Sequence, residues 1–245
     1  MALSKKEREI ANKKRHNEEK QNRRNAPLLQ RAEEARPQRE KILIVCEGKN
    51  TEPSYFKQFR SSTTTIESVR IVGEGYNTLS LVERAEQLHK DNYQDYQDYQ
   101  VWCVFDADPK PDNAQQLINF NNAIKKANSL GYNVAYSHQA FEYWIILHFE
   151  DHQGGAMDRN LYYDKINKYL IAINPKAYYH KDSKMITDTI FNVLLGIDSK
   201  TGKSRQKTAI ERAKKIHDRY DHLNPASEES STTIFELVNK LNNNG

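Results

Sequence analysis

The feature that most constrains the fold is a pair of short apolar runs, each of which ends in acidic residues. The first run, residues 42–46, is followed by Glu47 and a glycine, and the second, residues 101–105, is followed by Asp106, an alanine and Asp108. Runs of this length that are rich in Val, Ile and aromatic residues are typical of buried β-strands. Both runs therefore predict strands that carry carboxylates at their C-terminal ends.

Strand and helix patterns alternate through residues 41–153. Strands are predicted at 42–46, 68–72, 100–105 and 132–137, and helices at 52–60, from Asn77 or Thr78 onward, at 113–129 and at 140–149. This alternation predicts an α/β fold, a parallel four-stranded sheet flanked by helices. After residue 154 the strand pattern stops, and helices are predicted at 158–173, 184–196, 205–222 and 232–242. We expect a core at 41–153 and a helical extension, 154–245, that packs on it.

The positive charge of the chain is concentrated at its start. Residues 1–40 contain 12 Lys or Arg and 7 Asp or Glu residues, whereas the whole chain of 245 residues has a net charge of +4. This arm has no sustained apolar face, so it is predicted to be disordered or a solvated helix that stops near Pro27 and Pro37. It either contacts nucleic-acid backbone by charge or is a solubilising tail or partner-docking helix.

The composition argues against membrane-embedded and secreted classes. The longest apolar stretch is shorter than the roughly 18 residues of a membrane span, and no apolar core follows the charged first residues as in a secretory signal. Cys46 and Cys103 both lie inside apolar runs, which predicts reduced, buried thiols. We therefore expect a cytoplasmic protein with no membrane partner.

The strand-end carboxylates predict a metal site. The C-terminal ends of parallel strands meet at one edge of a sheet, so Glu47, Asp106 and Asp108 are expected to face one cation there. Clustered carboxylates repel one another unless a cation neutralises them, which favours Mg²⁺ or Mn²⁺. Such a metal could polarise a phosphate oxygen and activate water, and this indicates phosphodiester chemistry. The alternative is that the aspartates are loop residues that cap the next helix.

Two further acids and one glycine belong to this interpretation. Glu142 begins an otherwise apolar helix, where an unpaired carboxylate would be costly to bury, so we expect a further metal ligand or general base. The alternative is an acid favoured by the helix dipole. Glu52 is either a first-turn helix acid or a support for Glu47. Gly48 is interpreted as leaving space for substrate or metal.

Basic residues near the acids and in the last third are candidates for nucleic-acid contacts. Lys49 and Lys110 each follow an acid by two residues, so they are expected to contact phosphate. Lys203, Arg205 and Lys207 lie in a basic stretch that could bind nucleic-acid backbone. The alternative for this stretch is a solvated helix face.

The acidic strand ends and three longer segments of the chain resemble known protein families. Glu-Gly after one strand and Asp-x-Asp after a later one resemble the Toprim catalytic core of topoisomerases, primases and OLD-type nucleases. More closely, residues 42–56 (ILIVCEGKNTEPSYF), 141–149 (FEYWIILHF) and 231–238 (STTIFELV) resemble the RloB family. The resemblance covers about residues 40–242 and leaves out the arm.

The family resemblance implies a more specific function than the residue pattern alone predicts. It implies a Toprim-like fold and a Mg²⁺- or Mn²⁺-dependent endonuclease, a hydrolase for DNA or RNA, in which tRNA is one candidate substrate. Its metal and catalytic residues would be Glu47, Asp106, Asp108 and Glu142, and Glu52 and Lys181 would be further catalytic residues. Lys181 rests on a Tyr-x-Lys character of the family. Bacterial relatives are linked to phage defence and abortive infection, often beside an ABC-type ATPase, which implies such a partner. The sequence leaves the oligomeric state open, and a homo-oligomer is compatible with it.

Two other functions are compatible with the pattern. One is a nucleic-acid- or partner-binding subunit whose acid site is catalytically silent. The other is a glycosyltransferase, in which Asp-x-Asp holds a metal-bound sugar nucleotide. The Glu-Gly of the first strand has no role in that chemistry, so we rank the glycosyltransferase last.

Overall fold

The computed structural model describes residues 5–24, 40–59, 64–68, 78–92, 98–110, 112–152 and 155–244. The chain divides into two compact units, residues 1–38 and residues 39–245. In the first unit, helix α1 (Lys5–Arg24) has only exposed side chains among those described. Over this range, a solvated helix is the observed form of the arm.

The second unit is built on a parallel sheet. Strands β1 (Lys41–Cys46), β3 (Tyr99–Asp106) and β4 (Asn133–Ser137) run side by side, with Val45 opposite Cys103. Strand β2 (Thr64–Ser68) pairs parallel with the other side of β1, and the order is β2-β1-β3-β4. The α/β class and a parallel sheet flanked by helices are thus confirmed. The second strand begins at Thr64, four residues before the predicted start, and the predicted residues 69–72 lie outside the described residues.

Helices cover both faces of the sheet. They are α2 (Thr51–Lys57), α3 (Thr78–Asp91), α4 (Ala114–Ser129) and α5 (Glu142–Leu147). Leu43 and Val45 of β1 pack with residues of α3 and α4, whereas Ile42 and Ile44 face α2 and α5. Because side chains alternate across a strand, the continuous apolar run of β1 serves both cores. Helix α5 is shorter than the predicted 140–149 helix, and its residues 143–147 are all buried.

The last third adds helices to one of these cores. They are α6 (Tyr162–Ile173), α7 (Asp188–Leu195), α8 (Arg205–His217) and α9 (Ile234–Asn244), with 3₁₀ turns at Arg159–Leu161 and Pro225–Ser227. Leu170, Ile190 and Ala209 belong to the same hydrophobic cluster as Ile42 and Ile44. The helical extension and the inner face of the sheet therefore share one core.

The C-terminal segment covers the edge of β4 that does not pair with β3. The N–H of His138 donates to Ser231 O at 2.9 Å, and the N–H of Thr233 donates to Tyr136 O at 2.8 Å. A covered edge cannot template pairing with another chain. The two cysteines are free and buried, as predicted. Across the described residues, every helix is too short or too polar to cross a membrane.

Candidate metal and catalytic site

The first two acids meet where β1 and β3 end. The N–H of Glu47 donates to Val104 O at 2.9 Å, which continues the strand pairing one residue past β1. The Glu47 carboxylate in turn accepts from the backbone N–H of Asp106, with Oε2 3.3 Å from N. The structure therefore brings Glu47 and Asp106 together at the C-terminal edge of the sheet.

Glu52 belongs to the same group of acids. Its side chain comes from the first turn of α2, is only 6% exposed as a residue, and accepts from the backbone N–H groups of Gly48 and of Glu52 itself. Burial, and then the charges of Glu142 and Glu47, raise its pKa to about 7. Glu52 is therefore a buried acid inside the group, which supports its expected role beside Glu47.

Gly48 makes room for this acid. A Cβ atom at Gly48 would lie 2.1 Å from Oε2 of Glu52, far closer than van der Waals contact. The space that was expected to admit substrate or metal is thus occupied by a carboxylate of the chain. The Glu-Gly pair and Glu52 form one unit: Glu47 and Glu52 can both reach the site only if residue 48 has no side chain.

Glu142 enters from the opposite side, at the start of α5. Its side chain is 13% exposed, and its Oε1 accepts a hydrogen bond of 2.7 Å from the Tyr179 hydroxyl. That hydroxyl also lies 3.0 Å from Oγ1 of Thr51, and Lys184 Nζ lies 4.0 Å from Glu142 Oε1. Glu142 is therefore fixed by groups of the helical extension, which distinguishes it from a solvated helix-terminal acid.

The carboxyl group of Asp106 is difficult to ionise in this position. Its pKa is raised well above the ordinary value by burial first, and then by the charges of Glu52, Glu142 and Glu47, although it accepts from the N–H of Phe141. Burial likewise raises the pKa of Glu47. We define Glu47, Glu52, Asp106 and Glu142 as the acid cluster. Its members cannot all ionise cheaply unless a cation joins them.

Asp108 differs from the acid cluster because its partners are basic side chains. It forms an ion pair with Arg159, and Lys110 Nζ lies 3.7 Å from its Oδ2. Strand β3 ends at Asp106, and Asp108 has a φ of 39°, in the left-handed region. Asp106 and Asp108 therefore do not lie on one extended segment, and Asp108 reaches the site from the loop that follows the strand. Such a backbone costs about 1–2 kcal/mol and is often found at functional sites.

The acid cluster and Asp108 line one open cavity of about 430 Å³. Four cations also line this cavity: Lys49, Lys110, Arg159 and Lys184. A second cavity, of about 380 Å³, shares Glu142, Arg159 and Lys184 with the first and includes Lys181 and several tyrosines. Lys181 therefore lies beside the acid cavity and does not line it.

The other basic candidates lie elsewhere on the second unit. Lys203 Nζ pairs with Glu211 Oε2 at 3.0 Å, and Arg205 Nη1 donates to Val193 O at 3.0 Å. Lys207 is exposed on α8. None of these three residues lines the acid cavity that the described residues form.

Sequence reasoning missed several residues that complete the site. Arg159, Lys184, Tyr179 and Thr51 contact acids or each other around the cavity. Tyr179 precedes the candidate Lys181 by two residues; Tyr179 contacts Glu142, whereas Lys181 lines the neighbouring cavity. Arg159 lies about fifty residues after its partner Asp108 in the chain, and nothing local distinguishes it from a surface arginine.

The fold and the site together define an α/β protein with a cluster of buried and half-buried carboxylates at the C-terminal edge of a parallel sheet. This donor set is oxygen only, which fits hard divalent cations such as Mg²⁺ and Mn²⁺. The chain belongs to the RloB-like protein family, whose model matches residues 42–241, and the resemblance to RloB is thus confirmed. Neither a curated protein nor a solved structure matches the chain.

Proposed function

We propose that the chain is a metal-dependent endonuclease that cleaves phosphodiester bonds in DNA or RNA. Mg²⁺ or Mn²⁺ would be held by Glu47, Asp106 and Glu142, with Asp108 as a ligand that exchanges its ion pair with Arg159 for the metal. The observation that carries the proposal is the convergence of four carboxylates, one buried and three half-buried, in which burial first and then mutual repulsion raise the pKa of Asp106 and Glu52. A folded protein retains such repulsion at a cost, and a divalent cation relieves it.

The residues around the acid cluster fit the same chemistry. The bound cation would polarise a phosphate oxygen and activate water. Glu52, whose pKa burial raises to about 7, can hold or accept a proton near neutral pH, as a general acid or base requires. Lys49, Lys110 and Lys184 provide positive charge on the wall of the cavity for the phosphate backbone. Lys181 would extend this charge into the neighbouring cavity.

The biological setting of the proposal comes from the family. Membership of the RloB-like family supports a Toprim-like catalytic core and a role in phage defence. In this setting the nuclease would be the effector of an ABC-type ATPase from the same locus. The test is co-expression of the two genes, followed by affinity capture of one tagged protein and by a phage-infection assay. An ATPase that neither co-purifies with the chain nor alters its protection against phage contradicts this part of the proposal.

A second function, a binding subunit with a silent acid site, is favoured by one observation. Arg159 contacts Asp108, and Tyr179 and Lys184 approach Glu142, so protein groups already partner two of the proposed ligands. This function predicts salt-sensitive nucleic-acid binding without metal-dependent cleavage. Calorimetry that detects no Mg²⁺ or Mn²⁺ binding at the acids would favour it.

The deciding experiment compares acid variants on a panel of substrates. Purified protein is incubated with Mg²⁺ or Mn²⁺ and plasmid, single-stranded DNA or total RNA, beside Glu47→Gln and Asp106→Asn. We expect both variants to fold and to lose cleavage, because each removes one charged metal ligand. Asp112→Asn, an exposed acid close to Asp108 in sequence, is the matched control and should cleave normally. Normal cleavage by both site variants would rule out the proposed nuclease centre.

A further inference from the structure

A second group of metal-ligating side chains lies outside the acid cavity. It consists of His217, the last residue of α8, His222 in the following loop, and Glu228 after the 3₁₀ turn Pro225–Ser227. One ligand atom from each of the three residues lies within 4.8 Å of the other two. A separation of this size allows three donors to reach one ion after small side-chain adjustments.

The two imidazole rings are stacked. Their centroids are 3.9 Å apart and their planes differ by 14°. Two imidazolium rings in this arrangement would repel each other strongly. Neutral imidazoles are the form that binds transition metals, and two of them facing the same way form half of a tetrahedral ligand set.

Glu228 supplies an anionic donor that lacks a strong cation. The residue is 2% exposed, and its Oε2 accepts a hydrogen bond of 3.0 Å from the hydroxyl of Tyr136. Its Oε1 lies 3.1 Å from Nδ1 of His222. Within the described part of the chain, His222 is the residue that forms an ion pair with Glu228. A buried carboxylate needs a positive partner, and a histidine that shares a stack with another histidine is a weak one.

The backbone of His222 is an independent sign of a built site. Its φ is 60°, in the left-handed region that a residue with a Cβ adopts only at a cost. Strain of this kind persists where surrounding contacts fix the residue, and it is concentrated at ligand and catalytic sites. Here the strained backbone aims the imidazole at Glu228 and stacks it on His217.

We propose that His217, His222 and Glu228 form a binding site for a divalent transition-metal ion of the zinc class. Two nitrogens and one carboxylate oxygen are a set that Zn²⁺ takes, whereas the oxygen-only acid cluster suits Mg²⁺ or Mn²⁺. Tyr136 orients the carboxylate through its hydrogen bond, as partners of metal ligands commonly do. The ion would join the end of α8 to the segment that leads into α9. This site does not depend on the proposed nuclease activity.

The test separates this site from the acid cluster. Zn²⁺ is titrated by calorimetry into full-length protein that carries Glu47→Gln and Asp106→Asn, and Co²⁺ is used as a visible-absorption probe of nitrogen ligands. We expect one equivalent of Zn²⁺ to bind, to raise the melting temperature, and to compete with Co²⁺. His217→Gln and His222→Asn should each abolish this binding; asparagine tolerates the left-handed backbone of residue 222.

Two further variants sharpen the result. Tyr136→Phe leaves the three ligands in place but removes the orienting hydrogen bond, so zinc affinity should fall about tenfold. His16→Ala, an exposed histidine of α1, should leave binding unchanged. The parent here is the protein that carries Glu47→Gln and Asp106→Asn. If adding both His217→Gln and His222→Asn to the parent left zinc affinity unchanged, the proposal would be overturned. Absence of zinc binding to the parent would also overturn it. Circular dichroism of each variant separates ligand loss from unfolding, and either histidine variant alone can decide the question.

Discussion

Gly48 and Glu52 show how one missing side chain determines the composition of the acid cluster. Glu47 leaves β1 and Glu52 returns from the first turn of α2, so the chain must bend tightly between them. The Glu52 carboxylate fills the position that a Cβ at residue 48 would need. A glycine at this point is therefore a packing requirement of the cluster.

The Gly48→Ala variant should displace the Glu52 carboxylate. We expect a loss of about 1–3 kcal/mol in the free energy of unfolding, the usual cost of overpacking, and weaker Mn²⁺ binding. Chemical denaturation and calorimetry measure the two effects. Gly155→Ala is the matched control, because a Cβ there has no atom within 4 Å. Equal stability of the two variants would contradict the close approach, and Glu52→Ala should suppress the loss caused by Gly48→Ala.

The raised pKa of Glu52 predicts a pH dependence of stability. The folded state holds a proton on Glu52 up to about pH 7, whereas an ordinary glutamate releases it near 4.5. The folded state thus binds more protons in this window, so the unfolding free energy of the metal-free protein should fall as pH rises from about 4.5 to about 7. The contribution of Glu52 is at most roughly 3 kcal/mol. Urea denaturation across this pH range measures it.

The control for this prediction is Glu52→Gln, which cannot ionise. The decrease of stability with pH should be smaller in this variant, although Asp106 still contributes because its pKa is raised too. Saturating Mn²⁺ should reverse the trend, since the charged acids are the form that binds a cation. The same pH dependence in the parent and in Glu52→Gln would mean that Glu52 is not the buried acid described.

At the scale of elements, helix α6 positions Glu142 of the acid cluster through Tyr179. Nδ2 of Asn167, a buried residue of α6, donates to Tyr179 O at 2.9 Å, and the N–H of Tyr179 donates to Asn167 Oδ1 at 2.8 Å. This reciprocal pair fixes the backbone of Tyr179, whose hydroxyl contacts both Glu142 and Thr51. A helix outside the predicted α/β core therefore positions an acid of the site.

Tyr179→Phe should weaken the site more than the fold. The variant removes a hydroxyl that contacts Glu142 and Thr51, so we expect a loss of about 1 kcal/mol in unfolding free energy and a lower Mn²⁺ affinity. If the proposed cleavage exists, its rate should fall as well. Tyr178→Phe removes the neighbouring hydroxyl, which contacts Tyr163 outside the acid cavity, and is the matched control. Equal Mn²⁺ affinities of the two variants would remove Tyr179 from the site.

The ends of the elements also show where local patterns stop being sufficient. Helix α8 was predicted to continue to residue 222 but ends at His217, and residue 222 has a left-handed backbone. The contacts of His222 with His217 and Glu228 compete with continuation of the helix. The apolar period of the helix contains no information on such contacts, which join residues that do not lie on one helix face.

At the scale of the whole molecule, charge is divided between the two units. Residues 1–40 hold the excess of basic residues, and helix α1 exposes those that the structure describes. The second unit has its own cavity with acids and cations. If the chain binds nucleic acid, α1 is therefore the natural source of charge-driven affinity, whereas the cavity would provide the chemistry.

Replacing Lys13, Lys14, Arg15 and Lys20 by glutamine should weaken nucleic-acid binding and flatten its salt dependence. Each phosphate contact that is lost should reduce the slope of log K against log salt by about 0.9 on duplex DNA. Fluorescence anisotropy at several salt concentrations measures the slope. Lys168→Gln with Lys176→Gln, two exposed lysines of the second unit, is the control. An unchanged slope in the arm variant would favour a solubilising tail or docking helix.

The sequence by itself determined the strands of the sheet centre and three of the acids that meet at its edge. The runs that form β1 and β3 are apolar throughout because both faces of the sheet are covered, and parallel pairing then brings Glu47 and Asp106 to one edge. These inferences need only the local pattern and one rule of topology. Glu142 followed from a different argument, the high cost of burying an unpaired carboxylate in an apolar helix.

Only the tertiary structure decided which partners each acid has. Glu52 is buried beside Gly48, Asp108 pairs with Arg159, and Glu142 receives the Tyr179 hydroxyl. The last two pairs join residues that are far apart in the chain, and their contacts depend on how the helical extension packs on the sheet. A local pattern shows that a segment will be buried, but the free energy of burying a charge depends on neighbours that only the complete fold supplies.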